Sequence, residues 1–392
     1  MRKAYGLILM MAACLWSLDG LAGDATFVQL SRAAAKRSAD DWRAEFEKMT
    51  AIGVDTIILQ WTAETDIAYF VLVEDAEAPE DPVAAGVRAR EEDLAPTNPS
   101  ETMKEPVVLP DISAEETYPE QYPVLERIFE AAEASGVSVV LGLHHDPNYW
   151  TEITARMRVL KDYFYVRTAH NERLQLELLK KFSHRTSWIG YYVPDEIDDL
   201  TWRTDAKLDL VAGYVALLSE RLRANDADRG ITISSFFRLR TAPDVYARNI
   251  KRILSGSDVT ELLVQDGMGD GNPWKYAKHY VPIYYETLAE VLKEEAYDRK
   301  VVIELFERVT DVGEPFRAVS APFDRVSRQI EMAAPHFAGK VYFTYSNYMH
   351  PARGEHAAEL YDAMKSGSRK RAAAVAAPAA PAAPAAPAPE DK

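Results

Sequence analysis

The residues of this chain best suited to chemistry are carboxylates placed where apolar runs end. Residues 188–199 read WIGYYVPDEIDD, a strand-forming run that stops in four acids. A carboxylate at the end of a buried strand costs free energy unless it is paired or used. Residues 300–306 read KVVIELF, with Glu304 inside an apolar run and Glu307 just past it. Hydrolysis of a glycosidic bond needs two carboxyl groups, one protonated and one ionised. Glu196 is the candidate proton donor, and Glu304 or Glu307 the second carboxyl that attacks the anomeric carbon. Side chains alternate along a strand, so only one of Glu304 and Glu307 can face inward. Parity does not choose between them; burial cost favours Glu304. The purely structural alternatives are a capping or surface role for Glu196 and an arginine ion pair for Glu304.

Other polar and aromatic residues gather at the ends of similar runs. They are Gln60-Trp61, His144-His145 with Tyr149-Trp150 beyond, Phe236, Gln265-Asp266, and Tyr345 with Asn347. Tyr192 and Asp195 flank Glu196, with Asp195 expected to orient it and Asp198 and Asp199 to lie in a solvated loop. Aromatic rings can stack on the apolar faces of sugar rings while amides and carboxylates hold the hydroxyls. These residues are therefore the expected substrate contacts. Adjacent histidines point to opposite faces of a strand, and the first run, FVQL, has no histidine, so no metal and no cofactor is expected. A metal-dependent hydrolase is an alternative that metal analysis would decide.

Something must hold these ends together. Eight short apolar runs occur at 25–30, 54–61, 137–145, 188–193, 231–236, 259–265, 300–306 and 340–346. Amphipathic helical stretches alternate with them, at 40–49 (capped by Asp40), 122–135, 160–182, 207–224, 243–254, 280–295 and 324–334, with 355–364 closing the chain fold. This order predicts an α/β fold, a parallel sheet closed as a (β/α)8 TIM barrel. In such a barrel the catalytic residues lie at the C-terminal strand ends. A doubly wound open sheet would carry a glycine-rich phosphate loop after its first strand. Here Ser31-Arg32-Ala33-Ala34 follows instead.

The chain has 392 residues, 47% of them hydrophobic, which suffices for one large barrel with additions. Its formal net charge is -16 and unevenly spread. Residues 74–117 hold 13 acids against 3 bases, a net of -10, interrupted by prolines. That segment is expected to be a solvated insertion after the second strand, and such acidity excludes nucleic acid as a partner. Arg2 and Lys3 precede an apolar run at 5–18, and Leu21-Ala22-Gly23 offers small residues for cleavage. Residues 1–23 are thus expected to be a signal peptide, with the mature protein periplasmic or secreted from a bacterium and free of a membrane span. A lipid anchor at Cys14, the single cysteine, is the less favoured alternative because the surrounding residues fit a lipoprotein box poorly. The folded part is expected over 24–366. A basic hinge at 366–371 then leads into an Ala/Pro-rich extended tail, so 367–392 is expected to be disordered.

QW after the second strand, LGLHHDPNYW, YYVPDEIDD, SSFF, VQDGMG, IELFE and FTYSNYMHP together resemble an exported bacterial TIM-barrel family. It is the domain of unknown function numbered forty-four thirty-four, grouped with the glycoside hydrolase barrels. The resemblance spans about residues 26–351. It implies a sugar-active enzyme whose partner is a polysaccharide or oligosaccharide. Retaining members of the related clan keep the acid/base on strand four and the nucleophile on strand seven. That implies Glu196 and either Glu304 or Glu307. A non-catalytic glycan-binding barrel, within an exopolysaccharide export or processing system, is the alternative. The acidic insertion and the Ala/Pro-rich tail depart from the family pattern.

Overall fold

The structure is a computed structural model that describes residues 24–72, 118–270, 272, 274–311 and 314–376, with side chains to 368. The expected signal peptide, the acidic insertion and the end of the tail lie outside the described residues. Eight parallel strands close into a barrel: β1 (Asp24–Val28), β2 (Val54–Leu59), β3 (Ser138–Gly142), β4 (Trp188–Asp198), β5 (Gly230–Phe236), β6 (Glu261–Gln265), β7 (Asp298–Glu304) and β8 (Gly339–Phe343). Each strand pairs with its neighbours in chain order, and β8 pairs with β1 to close the ring. The helices between them are α1 (Ala39–Thr50), α2 (Val124–Ser135), α3 (Met157–Phe182), α4 (Asp205–Asn225), α5 (Pro243–Leu254), α6 (Trp274–Val291), α7 (Phe323–Ala333) and α8 (Glu355–Ala376). This is the expected (β/α)8 barrel.

The local signals that end and start these elements are chemical. Ser38 rather than Asp40 caps α1, exchanging hydrogen bonds with Asp41 in a capping box. Gly136 ends α2 in the left-handed region at φ 67°. The strands are apolar on both faces because one face packs on helices and the other fills the barrel. Ala25, Phe27, Ile58, Val140, Tyr192, Leu263, Val302 and Val341 form the inner cluster, a packed plug and not a pore. Burying each large member contributes roughly 1.5–3 kcal/mol.

One boundary differs from expectation. α8 continues to Ala376, through the stretch expected to be a hinge and into the expected tail. Alanine is the best helix former, and the first proline of the tail is Pro378, so nothing in 366–376 breaks the helix. Ser368 also ties this extension to the barrel by donating to the Ile52 carbonyl at 2.6 Å. None of the described helices is long and apolar enough to cross a membrane.

Candidate active site at the barrel mouth

Inward positions recur every second residue, so the residue two places beyond an inner apolar side chain lies one layer nearer the mouth. Beyond Phe27, Ile58, Leu263 and Val302 those residues are Gln29, Gln60, Gln265 and Glu304. The apolar plug is thus topped by a polar layer. Asn347 Nδ2 donates to Gln29 Oε1 at 2.9 Å, and Gln29 Nε2 donates to Gln60 Oε1 at 2.8 Å. Three amides therefore run in line across the ends of β8, β1 and β2. Asn347 takes its place because the chain after β8 winds into a π-helical turn, Tyr345–Met349, capped by Thr344.

Glu196 joins this layer through a bulge. β4 pairs with β5 at Val193–Ile233 and next at Ile197–Ser235, so four residues of β4 cover two of β5. The bulge keeps Glu196 level with Ser234; an unbroken register would set it level with Phe236. Tyr149, buried, pins it by donating its hydroxyl to the Glu196 carbonyl at 2.8 Å. Gln265 Nε2 donates to Glu196 Oε1 at 2.8 Å. Burial pushes the Glu196 carboxyl above its ordinary range, while hydrogen bonds from Gln265 and Ser234 and the Arg238 charge work against that rise.

Asp195 turns the other way, behind the sheet. Its carboxylate takes two bonds from Arg167, at 2.7 and 3.1 Å, and one from the Tyr214 hydroxyl. Both ion-pair side chains are only 2% exposed. Arg167 also reaches the His144 carbonyl at 2.6 Å and its Nδ1 at 2.7 Å. Burial and the Arg167 charge push the His144 pKa well down, so its ring is neutral and accepts from Arg167. The network braces the strand segment that carries Glu196.

Glu304 ends β7 and is 4% exposed. The backbone N–H of Gly269 donates to its Oε2. Only glycine permits this approach, because a Cβ at 269 would lie 2.6 Å from the Phe306 carbonyl oxygen. Burial, then the neighbouring Asp266 charge, push the Glu304 carboxyl up to about 8. Asp266 itself is fully buried behind the sheet, where Tyr285 and Gln329 donate to it at 2.8 Å. Burial raises the Asp266 carboxyl too, but these donors oppose the rise, so of the pair Glu304 holds its proton more firmly. The charges bearing most on Glu304 are those of Asp266, Arg325 and Asp270; those bearing most on Glu196 are Arg238 and Asp198. Each carboxyl thus sits chiefly in its own charge environment.

The other expected site residues divide by where they point. Trp61 stacks on His145 with centroids 4.7 Å apart, and both are half-buried. Trp150 is 46% exposed and meets the half-buried Phe236 edge-on at 5.5 Å. Gln60, Gln265 and Asn347 lie in the polar layer. His144, Tyr149, Tyr192, Asp195, Asp266 and Tyr345 were expected as substrate contacts, but all are buried. His144, Asp195 and Asp266 hold protein partners behind the barrel, and the Tyr192 hydroxyl is paired with Ser234 at 2.8 Å inside it. Glu307 differs in another way. β7 stops at Glu304, and Glu307 lies on a short hairpin, Phe306–Arg308 with Ala318–Ser320, its side chain 43% exposed and 3.7 Å from Arg325. Asp198 and Asp199 are buried, not solvated, and accept backbone N–H bonds that shape the loops after β4 and β5. Among the described residues no three His, Cys, Asp or Glu side chains converge on a metal position. Gln29, Arg167 and Arg238 belong to the site and were not expected. Gln29 shares parity with Phe27, which is a signal the sequence carries.

Comparison with known proteins fits this architecture. The Escherichia coli K12 protein called "Uncharacterized protein YbcH" is 28% identical over 153 residues, which cover 39% of this chain and 50% of that relative. The chain therefore matches about half the length of that relative. A solved structure of a putative alpha-L-fucosidase from Bacteroides thetaiotaomicron superposes with a TM-score of 0.59 at 15% identity, covering 88% of this chain and 95% of the other. An endo-1,4-beta-mannanase from Rhizomucor miehei superposes with a TM-score of 0.51 at 9% identity, over 89% and 95%. At such identities the likeness is one of fold. Residues 24–355, from β1 to the start of α8, match the family described as Domain of unknown function (DUF4434), and the chain belongs to that family.

Proposed function

We propose that this chain is an exported glycoside hydrolase acting on an oligosaccharide or polysaccharide. One observation carries the reading. Glu196 stands in the barrel mouth on β4, its carboxyl oriented by Gln265 and its proton affinity raised by burial. That is the environment of a general acid. Its role is to protonate the leaving glycosidic oxygen. Glu304 on β7 supplies the second carboxyl and must ionise to attack or to stabilise the positive charge that develops on the sugar. The Trp150–Phe236 pair offers a ring platform, and the Asn347–Gln29–Gln60 line offers amides to hydroxyls. The basic and then apolar start of the chain supports export.

A second reading, a glycan-binding barrel without turnover, is favoured by the proton on Glu304 near neutral pH. Reducing-end release from a panel of bacterial and plant polysaccharides separates the two. Wild type that releases ends while Glu196→Gln does not supports the hydrolase. Binding of a glycan by both proteins, with no release by either, supports the second reading.

A further inference from the structure

The loops that follow β4 and β5 present Arg203, Arg238 and Arg240, all exposed. The Arg238 guanidinium lies over the Phe236 ring at 5.3 Å and donates to Asp270 at 3.1 Å. Phe236 in turn carries Trp150, and the Arg238 charge reaches Glu196. A cation, a ring platform and the candidate acid are therefore neighbours at one edge of the mouth. Arg203 reaches only uncharged oxygens, the carbonyls of Asp199 and Arg240 and the Thr241 hydroxyl, at 3.3 to 3.5 Å. The Arg240 side chain makes no ion pair among the described residues.

The nearby acids Asp198, Asp199 and Asp270 offset part of this charge. Asp199 is buried and spends its carboxylate on the N–H groups of Arg238, Arg240 and Thr241 at 3.0 to 3.3 Å. Asp198 is buried on the N–H groups of Leu200 and Thr201. Asp270 is divided between Arg238 and Arg308, the latter at 2.9 Å. With Arg308, the arginines outnumber these aspartates by one, and it is the side chains of Arg203, Arg238 and Arg240 that stand exposed, in a chain whose formal net charge is -16.

We infer that this edge receives the carboxylate of a uronic acid residue, so that the substrate is an acidic glycan. The inference rests on the proposed reading of the mouth as a glycan cleft. A guanidinium with one arm on Asp270 keeps further donors free, in a planar fork that matches a carboxylate. The Phe236 ring lies under that guanidinium at 5.3 Å. The Trp150 face can take the sugar ring to which the carboxylate is attached.

The test is calorimetric titration of the full chain with oligosaccharides of glucuronate, galacturonate and mannuronate, each beside its carboxyl-reduced and its sulfated neutral counterpart. The expected result is that at least one uronate binds and that reducing its carboxyl weakens binding about ten- to hundred-fold. Arg238→Gln should abolish that difference. Its melting temperature should stay close to wild type, because the lost ion pair is partly exposed. Neutral oligosaccharides binding as tightly as their uronate partners would overturn the inference and leave the glycan cleft standing. Sulfated members binding while uronates do not would overturn the carboxylate assignment. Binding of no member would overturn the cleft reading and the inference together.

Discussion

Replacing Glu304 by Gln should make the protein more stable at alkaline pH and flatten its stability profile between pH 4.5 and 8. The folded state raises this carboxyl from 4.5 to about 8 through burial and the Asp266 charge. Below pH 4.5 the group is neutral whether folded or unfolded, so folding loses nothing to it. As pH rises toward 8, the unfolded chain ionises freely while the folded chain holds its proton, and stability falls. At about 1.4 kcal/mol for each tenfold change in proton affinity, the full loss is on the order of 5 kcal/mol, less whatever Asp266 shares of the titration. For a domain of this size that is about 5–10 °C in melting temperature. Gln keeps an oxygen to accept the Gly269 N–H but cannot ionise, so the variant escapes the loss. Asp266 remains in both proteins but is coupled to Glu304, so the difference between the two melting curves reports the pair. Thermal melts every half pH unit from 4.5 to 9 would show the curves diverging as pH rises. Parallel curves would refute the argument that Glu304 is buried beside Asp266.

Further outcomes follow from the same geometry. If Glu304 must be ionised for turnover, kcat/KM should rise with pH through neutrality toward the Glu304 value near 8, since that ratio reports the free enzyme; a profile already flat from pH 5 upward would remove Glu304 from the ionised role. Arg167→Met should destabilise the fold by about 3–5 kcal/mol by leaving Asp195 buried without its partner, and adding Asp195→Asn should recover much of that in denaturant titrations. Trp150→Ala should weaken glycan binding about tenfold while leaving the melting temperature unchanged, because this ring is 46% exposed.

The barrel was legible because its strands are near-continuous apolar runs separated by helices of ordinary length. The site was legible in part. Gln60, Gln265 and Glu304 each lie two residues beyond an inner apolar side chain, but alternation places them only once the structure shows which parity faces inward. Dipeptides at strand ends were harder, because one member goes inward and its neighbour goes behind the sheet; Gln265 and Asp266 divide in this way. Glu307 was weighed by parity on a strand that in fact stops at Glu304. The register shift that sets the depth of Glu196 depends on how β4 meets β5, which no local pattern reveals. Arg167 is legible by periodicity: it falls on the same face of α3 as Leu160, Phe164, Asn171 and Leu174, where an arginine needs a buried partner. The helical continuation past residue 366 is hard to read from sequence because the alanines that favour it stand next to the prolines from Pro378 onward.

Release of reducing ends by wild type and by Glu196→Gln, on whichever glycan the protein binds, tests the central claim most directly. The account predicts turnover by wild type, loss of at least a hundredfold in the variant, and glycan affinity within a few-fold of wild type in both. Unchanged turnover in Glu196→Gln would contradict it.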